Sequence, residues 1–163
     1  MPAGANSRFQ DFEEGNGTPS AYFYEAWRSS LSFENSIVHG GTRSVKIIVP
    51  APDENIGAVI GINVATPLGY VEIQNATTIS VWVYDTQGSN TIELKLKDSD
   101  GTVGSGLWSP MPSTQNQWIK ITWDLSQYPS APDLDWNRIA SIELYEWNQG
   151  TYYFDDANFT SLS

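Results

Sequence analysis

The chain has 163 residues, of which 40% are hydrophobic and 13% aromatic, with 19 acidic against 8 basic side chains, a formal net charge of -11 and no cysteine. That charge repels a phosphate backbone and argues against nucleic acid and anionic membranes as partners, while the missing thiols exclude disulfides, a cysteine nucleophile and a cysteine-containing zinc site. The length suits one domain, residues 1–163, and with only 17% charged residues the composition is too apolar for a disordered segment.

No apolar run approaches the roughly 20 residues of a membrane helix, and the N-terminal Met1–Arg8 lacks the apolar centre of a signal peptide. The chain therefore reads as a module excised from a longer protein, with any export signal encoded elsewhere. Short runs of alternating apolar and polar residues, bounded by Gly, Pro, Asn, Asp or Ser, predict half-buried strands. Ser44–Val49 places Val45, Ile47 and Val49 on one face, and Pro50 stops it. Ile56–Val64 reads as a strand in which Gly57 and Gly61 allow bends or close backbone approach.

Thr78–Tyr84 and Thr91–Lys97 read as a hairpin joined by the turn-rich segment Asp85–Asn90. Ile79, Val81 and Val83 share one face with Ile92, Leu94 and Leu96, which leaves Ser80, Trp82, Tyr84, Glu93, Lys95 and Lys97 on the other. Residues 101–117 form a loop rich in Gly, Ser and Pro. Trp118–Trp123 follows as a strand with Ile119, Ile121 and Trp123 directed to the core. A connector over 126–137 leads to Ser141–Trp147, where Ile142 and Leu144 oppose Glu143, Tyr145 and Trp147, and Thr151–Phe159 is the last strand. Helical periodicity, internal repeats and linkers are absent. The count of about eight to ten strands predicts an all-β sandwich or jelly roll.

Two constellations carry chemistry. Trp82, Tyr84, Tyr145 and Trp147, joined by Trp27 and Trp108 from loops, offer flat rings for the C–H faces of sugars, with Glu93, Lys95, Glu143, Gln115 and Asn148 for their hydroxyls. The same aromatics would equally serve as a second core layer or a contact with a neighbouring domain. The second pairs the acidic segment Asp11–Gly15 with Tyr153–Asp156. Adjacent carboxylates there call for a compensating cation, and calcium accepts six to eight oxygens in irregular geometry, carbonyls and hydroxyls of the turn His39–Ser44 included. Solvated strand-end acids are the alternative. His39, the single histidine, lies in a glycine-rich turn, and no nucleophile elbow, metalloprotease helix or phosphate loop is present. Paired carboxylates such as Glu13 and Asp155 leave glycoside cleavage open on chemistry alone.

The ordered series Asp11–Gly15, Gly40–Lys46, Ile79–Tyr84, Trp118–Leu125 and Tyr153–Asp156 resembles bacterial carbohydrate-binding modules, the jelly-roll domains appended to secreted polysaccharide hydrolases. The resemblance spans nearly the whole chain. It implies a jelly-roll β-sandwich of two antiparallel sheets, a structural Ca2+ held by Glu13, Thr42, Ser44, Asp155 and Asp156, and glycan binding without cleavage. The glycan would lie in a groove across one sheet, which suits Trp82, Tyr84, Glu93, Lys95, Tyr145 and Trp147, or at edge loops, which suits Trp27 and Trp108. It further implies an extracellular, monomeric module tethered to a hydrolase, with β-1,4-galactan slightly ahead of β-glucan and β-mannan because of the central hairpin and the acidic end. A structural or adhesion domain packing on a protein neighbour is the alternative of another class, and a small jelly-roll lyase or glycosidase a third.

Overall fold

The computed structural model describes residues 5–13, 22–28, 30–51, 57–65, 69–73, 75–86, 91–110 and 115–161. Among them run eleven strands: β1 (Ala5–Gln10), β2 (Phe23–Trp27), β3 (Ser30–Glu34), β4 (Ser44–Val49), β5 (Ala58–Asn63), β6 (Ala76–Asp85), β7 (Thr91–Asp98), β8 (Leu107–Pro110), β9 (Trp118–Asp124), β10 (Ile139–Glu146) and β11 (Gly150–Ser161). A 3-10 turn, Leu125–Gln127, follows β9 and is capped by the Asp124 carboxylate, which accepts from the Ser126 amide.

The strands form two antiparallel sheets. Sheet I is ordered β3-β4-β11-β6-β9, with β1 also on β11, and sheet II is ordered β2-β5-β10-β7-β8. The long strand β11 pairs with β4 over Gly150–Phe154 and with β1 over Ala157–Ser161, while β6 flanks its other side from Tyr152 to Ser161, with a bulge after Asp155. Between the sheets lies the apolar half of each alternating pattern. Val45, Ile47, Ile79, Val81, Phe154 and Ile121 from sheet I meet Ile60, Ile62, Ile92, Leu94, Ile142 and Leu144 from sheet II, all at most 2% exposed. At about 25 cal/mol per Å2 of apolar surface, this burial is the main force holding the two layers together. Trp123 is enclosed in the same core, as its alternation predicts. The architecture is the all-β jelly-roll sandwich expected from the sequence.

Several expectations are corrected. Thr78–Tyr84 and Thr91–Lys97 do not form a hairpin: β6 pairs with β9 and β11 in sheet I, and β7 with β8 and β10 in sheet II. Alternation tells which side chains are buried, not which strand lies alongside, and here the chain crosses from one layer to the other after Asp85. The segment 101–117 is not wholly a loop, because it contains β8. The early strands β1, β2 and β3 went unpredicted; in β3 the exposure alternates only weakly. Residue 56 lies outside the described residues, and the strand assigned to Ile56–Val64 spans Ala58–Asn63.

Candidate functional site

The outward face of sheet II carries two rows of side chains running across the strands. Register places Trp27 opposite Val59, Val59 opposite Tyr145, Tyr145 opposite Glu93 and Glu93 opposite Trp108. Residues directly opposite in antiparallel pairs share a face, so these five form one line from the β2 edge to the β8 edge. Four strand spacings make it roughly 19 Å long. Its ends are exposed tryptophans, Trp27 at 40% and Trp108 at 52%. Trp147, just past β10, stacks on Trp108 with ring centroids 5.9 Å apart and lies at the same distance from Tyr145. Neither Trp27 nor Trp108 is a loop residue. Trp27 reaches this face because β2 bulges between Glu25 and Trp27; without the extra residue, a side chain three positions after Tyr24 would point to the opposite side.

The second row is polar. Tyr24 lies opposite Gly61, Gly61 opposite Glu143 and Glu143 opposite Lys95. The Tyr24 hydroxyl donates to Glu143 Oε2 at 2.6 Å. Burial, reinforced by that carboxylate, pushes the Tyr24 phenol well above its ordinary range and keeps it a donor. Lys95 Nζ lies 4.4 Å from the Tyr145 ring centroid and donates to the Tyr145 hydroxyl at 3.3 Å, and Lys97 Nζ sits 4.9 Å from the Tyr24 ring. Gly61 has no side chain because Tyr24 lies flat on its backbone: a Cβ there would run into the ring. Gly61→Ala is expected to lift the ring, break its bond to Glu143 and cost about 1–3 kcal/mol. A thermal melt unchanged from wild type would refute that packing.

Trp82 and Tyr84, grouped with Tyr145 and Trp147 in the sequence, face outward from the other layer. Sheets in a sandwich pack about 10 Å apart, so the four rings form no single surface. On sheet I, Trp82 is covered by His39, whose imidazole stacks on it at 4.0 Å and 18° and meets Trp118 edge-on. Tyr84 packs edge-on between Trp118 and Tyr153. Trp82 and Trp118 thus dock the turn around His39 on sheet I, and Tyr84 supports Trp118 from its other side. Gln115 precedes β9 in the chain, and Asn148 follows β10, its carbonyl accepting from the Tyr152 hydroxyl.

The same turn gathers the acidic segments. Asp155 is fully buried; its Oδ2 accepts from the amides of His39 and Gly40, both at 3.1 Å, and its Oδ1 from the Asp156 amide. A bulge in β11, with Asp156 at φ 48, brings Asp156 Oδ2 to 2.6 Å from His39 Nδ1. Burial pushes the Asp155 carboxyl up to about 7, with the Gly40 amide opposing and the charge of Asp156 adding to the rise.

Glu13 accepts from the Thr42 amide and hydroxyl, both at 2.7 Å, and from the Arg43 amide at 2.8 Å. Burial alone would raise its pKa, but these bonds hold it below the ordinary carboxylate value. The Ser44 hydroxyl is directed within the turn, donating to the Ile37 carbonyl. Glu14 and Gly15 lie outside the described residues. Three distant segments thus meet as expected from the sequence, although among the described residues no three acidic or imidazole side chains surround one point. Gly41 holds φ 68 with the Glu13 carboxylate pressed against it. Gly41→Ala is therefore expected to lose about 1–3 kcal/mol, seen as a melting temperature lowered by roughly 3–8 °C; an unshifted melt would show that the turn does not need a left-handed residue.

A cavity of about 580 Å3 lies elsewhere, lined by Ala76, Thr77, Asp124, Leu125, Ser126 and Trp136. Its one charged group, Asp124, is already bonded to the Ser126 amide and hydroxyl, so it lacks the convergent polar groups of the sheet II face.

No family model and no curated protein sequence matches the chain. Solved structures do match it. The CBM22-1 xylan-binding domain of Xyn10C from Paenibacillus barcinonensis superposes with a TM-score of 0.59 at 16% identity, covering 100% of this chain and 98% of that one. The family 11 carbohydrate-binding module from Clostridium thermocellum, in complex with a β-1,3-1,4-mixed-linked tetrasaccharide, gives 0.66 at 15% identity, covering 99% and 98%. The chain has the fold of these carbohydrate-binding modules. It also aligns with 29% of the CBM22-1-GH10 modules of Clostridium thermocellum xylanase 10B, complexed with xylohexaose, at a TM-score of 0.66 and 13% identity, covering 98% of this chain. At such identities the likeness is one of fold.

Proposed function

We propose that this chain is a non-catalytic module that binds a cell-wall polysaccharide along the outward face of sheet II. The observation that carries this reading is the row Trp27–Val59–Tyr145–Glu93–Trp108, bounded by exposed tryptophans and backed by the Tyr24–Glu143 and Lys95–Tyr145 pairs. Stacking needs flat rings and hydroxyl recognition needs fixed donors and acceptors, and both are present over the length of a short glycan segment. The fold shared with modules of xylanases supports a role as the targeting part of a secreted hydrolase, where tethering raises the local concentration of substrate. A monomer suffices for this, since the row lies within one chain. β-1,4-Galactan stays among the candidate ligands through the acidic end segment, and xylan and mixed-linked β-glucan join it through the neighbours' ligands.

The junction of Glu13, Thr42, Asp155 and Asp156 is proposed to hold a structural calcium. The fit rests on Asp155: a carboxylate fully buried beside a second one is stabilised by a divalent cation, and the turn offers hydroxyl and carbonyl oxygens to complete a shell. The ion would tie both ends of the chain to the His39 turn.

Affinity electrophoresis in gels containing galactan, mixed-linked β-glucan, xylan or mannan tests the binding function. Retardation by one of them is expected; migration unchanged in all four would overturn the reading in favour of a protein-contact face.

A further inference from the structure

Glu93 is the one charged side chain in the aromatic row, and its surroundings are unusual for a carboxylate. It is only 9% exposed, lies between Tyr145 and Trp108 on the neighbouring strands, and rests on Gly106, where any Cβ would collide with it. Among the described residues no donor bonds to it. The ammonium of Lys95, two positions along, is engaged with the hydroxyl and ring of Tyr145. Neither carboxylate oxygen is sealed from solvent without a partner, as the indole nitrogen of Trp147 is, so a ligand on this face can reach the group. Burial raises its pKa, with the Lys95 charge opposing.

Burying an ionised group without hydrogen bonds is costly, and a ligand that supplies donors recovers that cost. A carboxylate presents two oxygens in one plane, at a separation matching two adjacent hydroxyls on a sugar ring. With Trp108 beside it to carry the ring's C–H face, donor and stacking requirements meet at one ring position.

We propose that Glu93 is the specificity-determining anchor of the face: it accepts hydrogen bonds from two adjacent free hydroxyls of an uncharged sugar ring stacked on Trp108, and so selects unsubstituted neutral glycan. Chains whose adjacent hydroxyls are acylated lack those donors, and uronate-bearing chains bring a like charge to a half-dry floor. This inference rests on the polysaccharide-binding reading above.

The test compares titration of wild type and Glu93→Gln with xylan, mixed-linked β-glucan and β-1,4-galactan, each unsubstituted and after O-acetylation. Wild type is expected to prefer the unsubstituted form of its ligand by about tenfold or more, the effect of losing a hydrogen bond to a charged group. Glu93→Gln, close to isosteric, is expected to lose a similar factor on the unsubstituted chain and to bind both forms within about twofold. Equal wild-type binding of the two forms overturns the proposal without recourse to any variant, and so does a Glu93→Gln protein that binds and discriminates as wild type does. Failure of wild type to bind any of the three in either form overturns the polysaccharide reading itself, an outcome distinct from the other two.

Discussion

Trp108→Ala is expected to weaken retention on the bound polysaccharide by at least about tenfold, while the melting temperature stays within about 2 °C of wild type. Trp108 ends the row on the edge strand β8, is 52% exposed, and contacts Trp147 rather than the core. Its removal takes away an exposed stacking platform and little core packing. Trp82→Ala supplies the contrast. Trp82 lies beneath the imidazole of His39 on the opposite layer, so its loss is expected to lower thermal stability and leave retention unchanged. If Trp82→Ala abolished retention and Trp108→Ala did not, the binding face would have to move to sheet I.

Calcium is expected to raise the melting temperature most at neutral pH. The sign follows from Asp155, whose carboxyl rises from 3.8 to about 7 in the folded chain because of burial. A carboxyl with a raised folded-state pKa contributes stability that is fully present below its unfolded value and is lost as pH climbs through the folded one. In chelator the melting temperature should therefore fall between pH 4 and pH 7.5, by about 4–8 °C for a loss on the order of 2 kcal/mol after solvent screening around the turn. Calcium at pH 7.5 should restore it by holding the carboxylate ionised. Asp155→Asn separates the two effects: it should lose both the fall with pH in chelator and the response to calcium. A wild-type melt insensitive to calcium at every pH would remove the metal from the junction and leave it a hydrogen-bonded tie between strand ends.

Much of the fold was legible in the residues. Val45, Ile47 and Val49, or Ile79, Val81 and Val83, announce by a period of two which side chains enter the core, because a strand turns successive side chains to opposite faces whatever lies beside it. The meeting of Glu13, the His39 turn and Asp155 was legible from the ordered acidic and glycine segments. The outward row of sheet II was legible only in pieces. Tyr145, Glu93 and Lys95 lie on one layer with Trp147 beside them, whereas Trp82 and Tyr84, which the expected hairpin would join to them, belong to the other. Trp27 depends on a bulge that alternation cannot register, and Trp108 on a four-residue edge strand inside a glycine-rich stretch.

The sequence by itself determined the class of fold, the buried half of each strand and the residue types available for binding. Only the tertiary structure decided which aromatics share a surface, since that depends on which strands pair across tens of residues and on which layer each one joins. Burial of apolar side chains is satisfied equally well by either layer, so the choice between them is made by long-range pairing and one inserted residue.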